Sequence, residues 1–140
     1  MRCGSAAVVL VVLLGGCRAP VPPAHPQRWA TAWIQAFNSH RGEQISPLLR
    51  GTGTYQDPSL EKPLSGPWLG FYLNQRWKQY PEMHYTLKQA SGDAHTVIAQ
   101  WRATGLAREP AGVVAGVFVL RVEDDSIASV RSYYDAAELR

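Results

Sequence analysis

Cysteine is almost missing from this chain. Of 140 residues only Cys3 and Cys17 are cysteines, both close to the N-terminus, so whatever folds after them is built without a disulfide. An apolar run long enough to cross a bilayer is missing too. Ala6 to Leu14 (AAVVLVVLL) falls far short of the ~20 residues a spanning helix needs, and Gly112 to Gly116 (GVVAG) has a membrane-helix packing spacing in a run that is again too short. The formal charge is only +3, with Lys and Arg scattered and not gathered on a stripe, which excludes the electrostatic footprint of a nucleic-acid binder. The four histidines, 25, 40, 84 and 95, are far apart and have no second retained cysteine to join them, so no metal site is expected. Gly51 to Gln56 (GTGTYQ) lacks the third glycine of a dinucleotide fingerprint and precedes a strand, and no nucleophile elbow occurs. No cofactor is expected.

Aromatic residues, by contrast, are abundant: five tryptophans, six tyrosines and three phenylalanines. With 46% hydrophobic and 18% charged residues this is the composition of one globular domain. Such rings supply buried area, and Tyr and Trp also carry a polar handle that can line a pocket.

The N-terminus has the layout of an export signal: Arg2, then the short apolar run, then Leu14 to Cys17 (LGGC). That ending resembles the lipobox of bacterial lipoproteins, an aliphatic residue and two small ones before cysteine. The resemblance implies cleavage before Cys17 and a diacylglyceryl group on its thiol. Residues 1–16 are then the signal peptide and 17–27 the lipidated Cys17 with a tether rich in proline, which fixes φ and favours extended chain. Residues 28–140 are the domain. Arg18 stands where enterobacterial inner-membrane lipoproteins carry aspartate, so the expected location is the cell envelope, lipid-anchored, at the outer membrane facing the periplasm if the source is Gram-negative. Several acyl chains anchor stably where one would not.

Within the domain, Ala30, Trp33, Ile34 and Phe37 recur at helical spacing over Arg28 to Asn38. Gly42 to Leu49 suggests a short helix with Ser46 as N-cap and Pro47 at its first position. Gly53 to Pro58 reads as a short strand, and Leu69, Tyr72, Leu73, Trp77 and Tyr80 mark a helix over Pro67 to Tyr80, ended by Pro81. Four strands joined as hairpins follow, over 83–90, 96–104, 112–122 and 127–134. Helices early and a meander late indicate an α+β domain.

In this order, the Trp- and Phe-bearing first helix, Tyr55 to Pro58 (YQDP), a helix ending at Tyr80–Pro81, Trp101 to Gly105 (WRATG) and the final Gly116 to Asp135 resemble the SnoaL-like branch of the nuclear-transport-factor-2-like superfamily. The resemblance implies about three N-terminal helices packed on a curved mixed β-sheet that encloses a cone. Members include polyketide cyclases, ketosteroid isomerases and epoxide hydrolases as well as non-catalytic binding modules. It thus implies a small hydrophobic ligand and a homodimer as partners.

Period-two alternation puts Tyr55 with Asp57, Arg102 with Thr104, and Arg131 with Tyr133 and Asp135. If the polar sets point into the cone, the pocket holds Tyr55, Arg102 and Tyr133, with Asp57 and Asp135 as candidate acid–base groups and Trp68, Phe71 and Trp77 as walls. The plainer alternatives stand beside this. Asp57 before Pro58 can initiate a turn, Arg102 and Arg131 can pair with Asp135 on the sheet, and the tyrosines can be core. In the epoxide hydrolase branch the working unit is two aspartates, an arginine and a tyrosine. Tyr55, Arg102 and Asp135 match three of those places, but Thr104 stands where the general-base aspartate belongs, so that activity is not implied. Three readings remain open: a lipid-anchored binding module, an isomerase- or cyclase-type enzyme with aspartate as proton shuttle, and a scaffold whose cone is filled by its own rings. Replacing the acceptor thiol tests the anchor: Cys17→Ser is expected to leave the chain unprocessed and unlabelled by radioactive acyl precursor, and normal labelling of that variant would end the lipoprotein reading.

Overall fold

The computed structural model describes residues 26–109 and 111–139. The signal-like run, the LGGC segment with Cys17 and nearly all of the tether lie outside the described residues. Helix α1 (Pro26–Asn38) is followed by the single turn α2 (Gly42–Ile45), strand β1 (Leu49–Gln56), the two-residue strand β2 (Leu64–Ser65) and helix α3 (Gly66–Gln79). Strands β3 (His84–Gly92), β4 (Thr96–Thr104), β5 (Val114–Glu123) and β6 (Ser126–Tyr134) then form the meander, closed by a 3-10 turn over Ala136–Glu138. Among the described residues no helix is long and apolar enough to cross a membrane.

All six strands make one sheet in the order β2-β1-β6-β5-β4-β3. Every pairing is antiparallel except β1 with β6, where Tyr55 sits opposite Val130 and Gln56 opposite Arg131. The sheet is therefore mixed. Register shifts interrupt it at Leu49/Thr54, Leu87/Gln89 and Arg121/Val122. Each such irregularity adds local twist and bends its strand, so the sheet curves around the helices as an α+β fold.

The core lies between the concave face and α1. Trp33 and Phe37 are fully buried there. Trp33 stacks on Tyr55 at 6.2 Å, Phe37 meets Tyr85 edge-on at 5.2 Å, and Trp101 packs against Tyr85 at 4.8 Å and Phe118 at 5.3 Å. Each such contact is worth about 0.5–1.5 kcal/mol beyond the area it buries. One glycine makes this packing possible. A Cβ on Gly116 would sit 2.5 Å from Trp101 Cζ2 and 2.4 Å from the Tyr133 carbonyl, so the indole can lie against bare backbone.

The end of α1 is tied to the edge strand. Asn38 Nδ2 donates to the Tyr85 carbonyl and Asn38 Oδ1 accepts from the Tyr85 N–H, both at 2.8 Å, in place of a neighbouring strand. His40 Nε2, 3.0 Å from the Met83 carbonyl, adds a second tie.

The helix expected over Gly42 to Leu49 is shorter and set differently. It ends at Ile45, and Ser46 is its C-terminal cap, with its N–H bonded to the Gly42 carbonyl. Pro47 has no N–H with which to extend the helix, so it stops this one and does not start another. After a turn over residues 46–48 the chain enters β1, which begins four residues before the expected Gly53. Strand β2 has too few residues to leave a periodic signal.

Candidate functional site

Strand β1 delivers Tyr55 and Asp57 to the concave face, and both are buried. Pro58 ends the strand, so Asp57 opens a turn. Its Oδ1 accepts from the Ser59 N–H at 2.8 Å and from Ser59 Oγ at 2.6 Å. Oδ2 faces the interior, where it accepts from Tyr55 at 3.2 Å and, through a short hydrogen bond, from Tyr72 on α3. The same carboxylate is thus both a turn former and the centre of a buried cluster.

Helix α3 aims its inner face at this carboxylate. Leu69, Leu73, Arg76 and Trp77 are its buried residues, so a charged side chain lies on the apolar stripe. Arg76 Nη1 lies 3.9 Å from Asp57 Oδ2 and donates to the Tyr72 hydroxyl at 3.4 Å, while Nη2 donates to the Tyr134 hydroxyl at 3.1 Å. The guanidinium also lies over the rings of Tyr80 and Tyr134, 5.5 and 5.6 Å from their centres. Its Nε has no hydrogen-bond partner among the described residues.

Burial dominates the electrostatics. It pushes the Tyr55 phenol well above its ordinary range, with the Asp57 charge adding to the effect. Burial likewise raises Tyr72, with Arg76 opposing in part, raises Tyr134, and pushes Tyr85 up to about 12. For Arg76, burial works against the charge, but the phenols of Tyr85, Tyr55, Tyr72 and Tyr134 outweigh it and the group stays a cation. At neutral pH the four phenols are therefore neutral and the guanidinium is charged.

Tyr72 and Tyr134 are half-buried and Ser59 is exposed, whereas the Asp57 side chain has no accessible surface. The Ser59 and Tyr72 oxygens are 2.9 Å apart. No group of three or more metal-ligating side chains occurs among the described residues.

Of the residues chosen by alternation, Tyr55 and Asp57 come together on the inner face and Trp77 is buried beside them, its ring stacked on His40 at 5.8 Å. The others go elsewhere. Arg102 lies on the outer face of β4, because Val97, Ala99, Trp101 and Ala103 take the inner one. It borders a shallow depression there with Lys88 and Gln100. On β6, Val130 and Ser132 are buried and Tyr134 follows them inward, so Arg131 and Tyr133 face out. Tyr133 lines an outer cleft of about 370 Å³ with Gln56, Pro58 and Arg131. Asp57 borders it as well, but with its side chain inaccessible it offers main chain there. Asp135 is exposed and caps the terminal 3-10 turn, accepting from the Ala137 N–H at 2.9 Å. Trp68 and Phe71 are on the outer side of α3, 73% and 62% exposed, and wall no part of the cone. The alternation itself holds. The polar set was assigned to the inside, whereas removing apolar area from water decides the face.

Alternation alone could not find Arg76, Tyr72 and Tyr134. The available signal was an arginine three residues after Leu73 on a helix's apolar stripe, a place where an unpaired cation is too costly to leave.

The chain matches the SnoaL-like domain family over residues 30–130. It belongs to that family. Solved structures agree on the fold. A SnoaL-like protein of unknown function from Burkholderia thailandensis superposes with a TM-score of 0.66 at 17% identity, covering 79% of this chain and 94% of that one. A protein with a ketosteroid isomerase-like fold from Catenulispora acidiphila, in complex with trimethylamine, gives 0.71 at 21% identity, covering 79% and 88%. A candidate SnoaL-like polyketide cyclase from Jannaschia sp. CCS1 gives 0.67 at 10% identity, covering 80% and 86%. No curated protein matches the chain.

Two measurements check the electrostatics of this SnoaL-like domain. Arg76→Met strands a buried carboxylate and is expected to cost about 3–5 kcal/mol in denaturant unfolding, part of which returns when Asp57→Asn is added. A loss in the double variant equal to the sum of the two single losses would show that the two groups are uncoupled. The second is alkaline unfolding. Unfolded phenols release their protons near pH ~10 while Tyr55, Tyr72, Tyr85 and Tyr134 hold theirs, so above that pH the folded state binds more protons. Stability should be level below pH ~10 and fall as the pH rises towards the value of about 12 for Tyr85. Tyrosinate absorbance rising ahead of unfolding for all six tyrosines would contradict this.

Proposed function

We propose that the protein is a lipid-anchored component of the bacterial envelope whose SnoaL-like domain binds a small hydrophobic molecule bearing an oxygen. The Tyr134 hydroxyl, which accepts from Arg76, donates its proton to that oxygen, whereas those of Ser59 and Tyr72 are given to Asp57. Cys17 holds the domain at the membrane, at the outer membrane if the cell has one.

The observation that carries the reading is the contrast in accessibility within one cluster. Asp57 has no accessible side-chain surface and accepts four hydrogen bonds. The phenols of Tyr72 and Tyr134, which touch Arg76, are half-buried. A hydroxyl that accepts from a guanidinium becomes a stronger donor, so the accessible part of the cluster suits a carbonyl or hydroxyl oxygen. Binding is favoured over turnover because the one buried base is closed to substrate and fully engaged.

A second reading rests on the short Tyr72–Asp57 hydrogen bond. In it Tyr72 passes a proton between substrate and Asp57 in isomerase- or cyclase-type chemistry, in which a phenol–carboxylate relay replaces direct contact.

Native mass spectrometry of the purified lipidated protein, followed by titration with a panel of cyclic ketones and phenols, tests both. Tyr134→Phe should weaken binding about tenfold, the worth of one charge-assisted hydrogen bond, and should also lower the melting temperature, because Arg76 Nη2 loses its acceptor. Unchanged affinity for every compound that binds would sink the site. Turnover by the native protein that vanishes in Tyr72→Phe would establish the second reading.

A further inference from the structure

The outer face of α3 is unlike the rest of the surface. Trp68 and Phe71 stand three residues apart on the helix, 73% and 62% exposed. The exposed Pro63 and Pro67 and the half-buried Leu64 surround them. A depression of about 530 Å³ opens between Lys62, Pro63, Leu64, Ser65 and Trp68. The other four tryptophans, Trp29, Trp33, Trp77 and Trp101, are all at most 5% exposed. An exposed Trp–Phe pair leaves several kcal/mol of transfer free energy unused at about 25 cal/mol per Å², and contiguous apolar surface of this kind marks a contact site.

Its place in the fold indicates what covers it. Arg28, two residues after the start of α1, pairs with Asp125 in the β5–β6 turn at 3.8 Å. The neighbouring Asp124 is 3.5 Å from Arg50 at the start of β1. Arg50 and Pro67 line the same cleft of about 440 Å³, and Trp68 follows Pro67. The point where the tether enters the domain is thus linked through Asp125, Asp124 and Arg50 to the cleft that Pro67 borders, one residue before Trp68. Eight residues, nine Cα-to-Cα steps, separate Cys17 from Pro26. They can reach at most about 30 Å, roughly the width of the domain itself.

We infer that Trp68 and Phe71, flanked by Pro63 and Pro67, insert into the headgroup layer of the bilayer that carries the anchor, a second contact besides the lipid on Cys17. Amphipathic rings suit that layer, where one part of the ring is in apolar chains and the rest is wet. Lys62 stands beside Glu61, so the contact depends on the rings and only weakly on salt. This inference rests on the anchor reading above.

The test uses the full lipidated protein in vesicles of phosphatidylethanolamine and phosphatidylglycerol with brominated acyl chains. Acrylamide in water and bromine in the chains quench Trp68 from opposite sides, because the other tryptophans are buried. Expected are bromine quenching that Trp68→Phe removes, and a severalfold lower acrylamide quenching than in detergent. Phe71→Ala should restore much of the acrylamide access without lowering the melting temperature. Flotation with the vesicles but equal acrylamide quenching in both media overturns the insertion and leaves the anchor standing. Failure to float overturns the anchor and this inference with it. Shielding of Trp68 that persists in detergent and grows with protein concentration assigns the face to a second copy of the chain, which also overturns it.

Discussion

A guanidinium taken out of water has to be answered from every side, and much of this domain can be read as the answer to Arg76. Dehydrating such a charge costs several kcal/mol even after relaxation. The return comes from three elements far apart in sequence. Asp57 at the end of β1 supplies the opposite charge, Tyr134 at the end of β6 a hydrogen bond, and Tyr72 and Tyr80 on α3 itself a hydrogen bond and a ring face. None of these works unless α3 lies across the strand ends at one particular height. The pair therefore acts chiefly on position. Apolar contacts would hold α3 to the sheet in several registers, whereas an unpaired buried charge excludes all but one.

The interior is divided accordingly. Towards α1 it is packed with rings, Trp33, Phe37, Tyr85, Trp101 and Phe118, with Trp101 pressed against bare backbone at Gly116. Towards α3 the same concave face becomes polar, and the change takes place within single strands. Tyr55 stacks on Trp33 with its ring and donates to Asp57 with its hydroxyl. Tyrosine is suited to that boundary because one side chain is apolar along its length and polar at its tip. The high tyrosine content of the sequence is spent largely here, since five of the six contribute a ring or hydroxyl to the surroundings of Arg76 or Asp57 and only Tyr133 faces away.

How far the sequence could be read follows from what carries a periodic signal. The α1 stripe of Ala30, Trp33, Ile34 and Phe37 and the alternation along β4 survive in the structure, because each repeats often enough to outweigh local exceptions. Family resemblance led to the right architecture for the same reason. The site was less legible. Tyr55 and Asp57 could be paired by alternation, but Arg102, Tyr133 and Asp135 were drawn inward by their chemistry and not by burial. Arg76 was hidden in plain view: a single cation on an apolar stripe has no period, and its partners lie on strands whose position relative to α3 is a tertiary fact. Trp68 and Phe71 misled for the opposite reason: large rings suggest a core, although the stripe through Leu69, Leu73 and Trp77 leaves both of them off the inner side of α3. The two-residue β2 is defined only by its neighbour.

The parallel pairing of β1 with β6 has a consequence for the order of events. Leu49 lies against Ile127 and Tyr55 against Val130, so the first long strand finds its place only beside the last. Contacts that join such distant stretches must overcome a large loop-closure entropy before they return any stabilisation, which slows folding. A chain made from its N-terminal end brings α1, β1 and α3 first, with the charge partner Asp57 present but the Tyr134 acceptor for Arg76 missing until β6 arrives. Folding is then effectively gated by the last strand, and a truncated or stalled chain would present an open sheet edge and exposed rings.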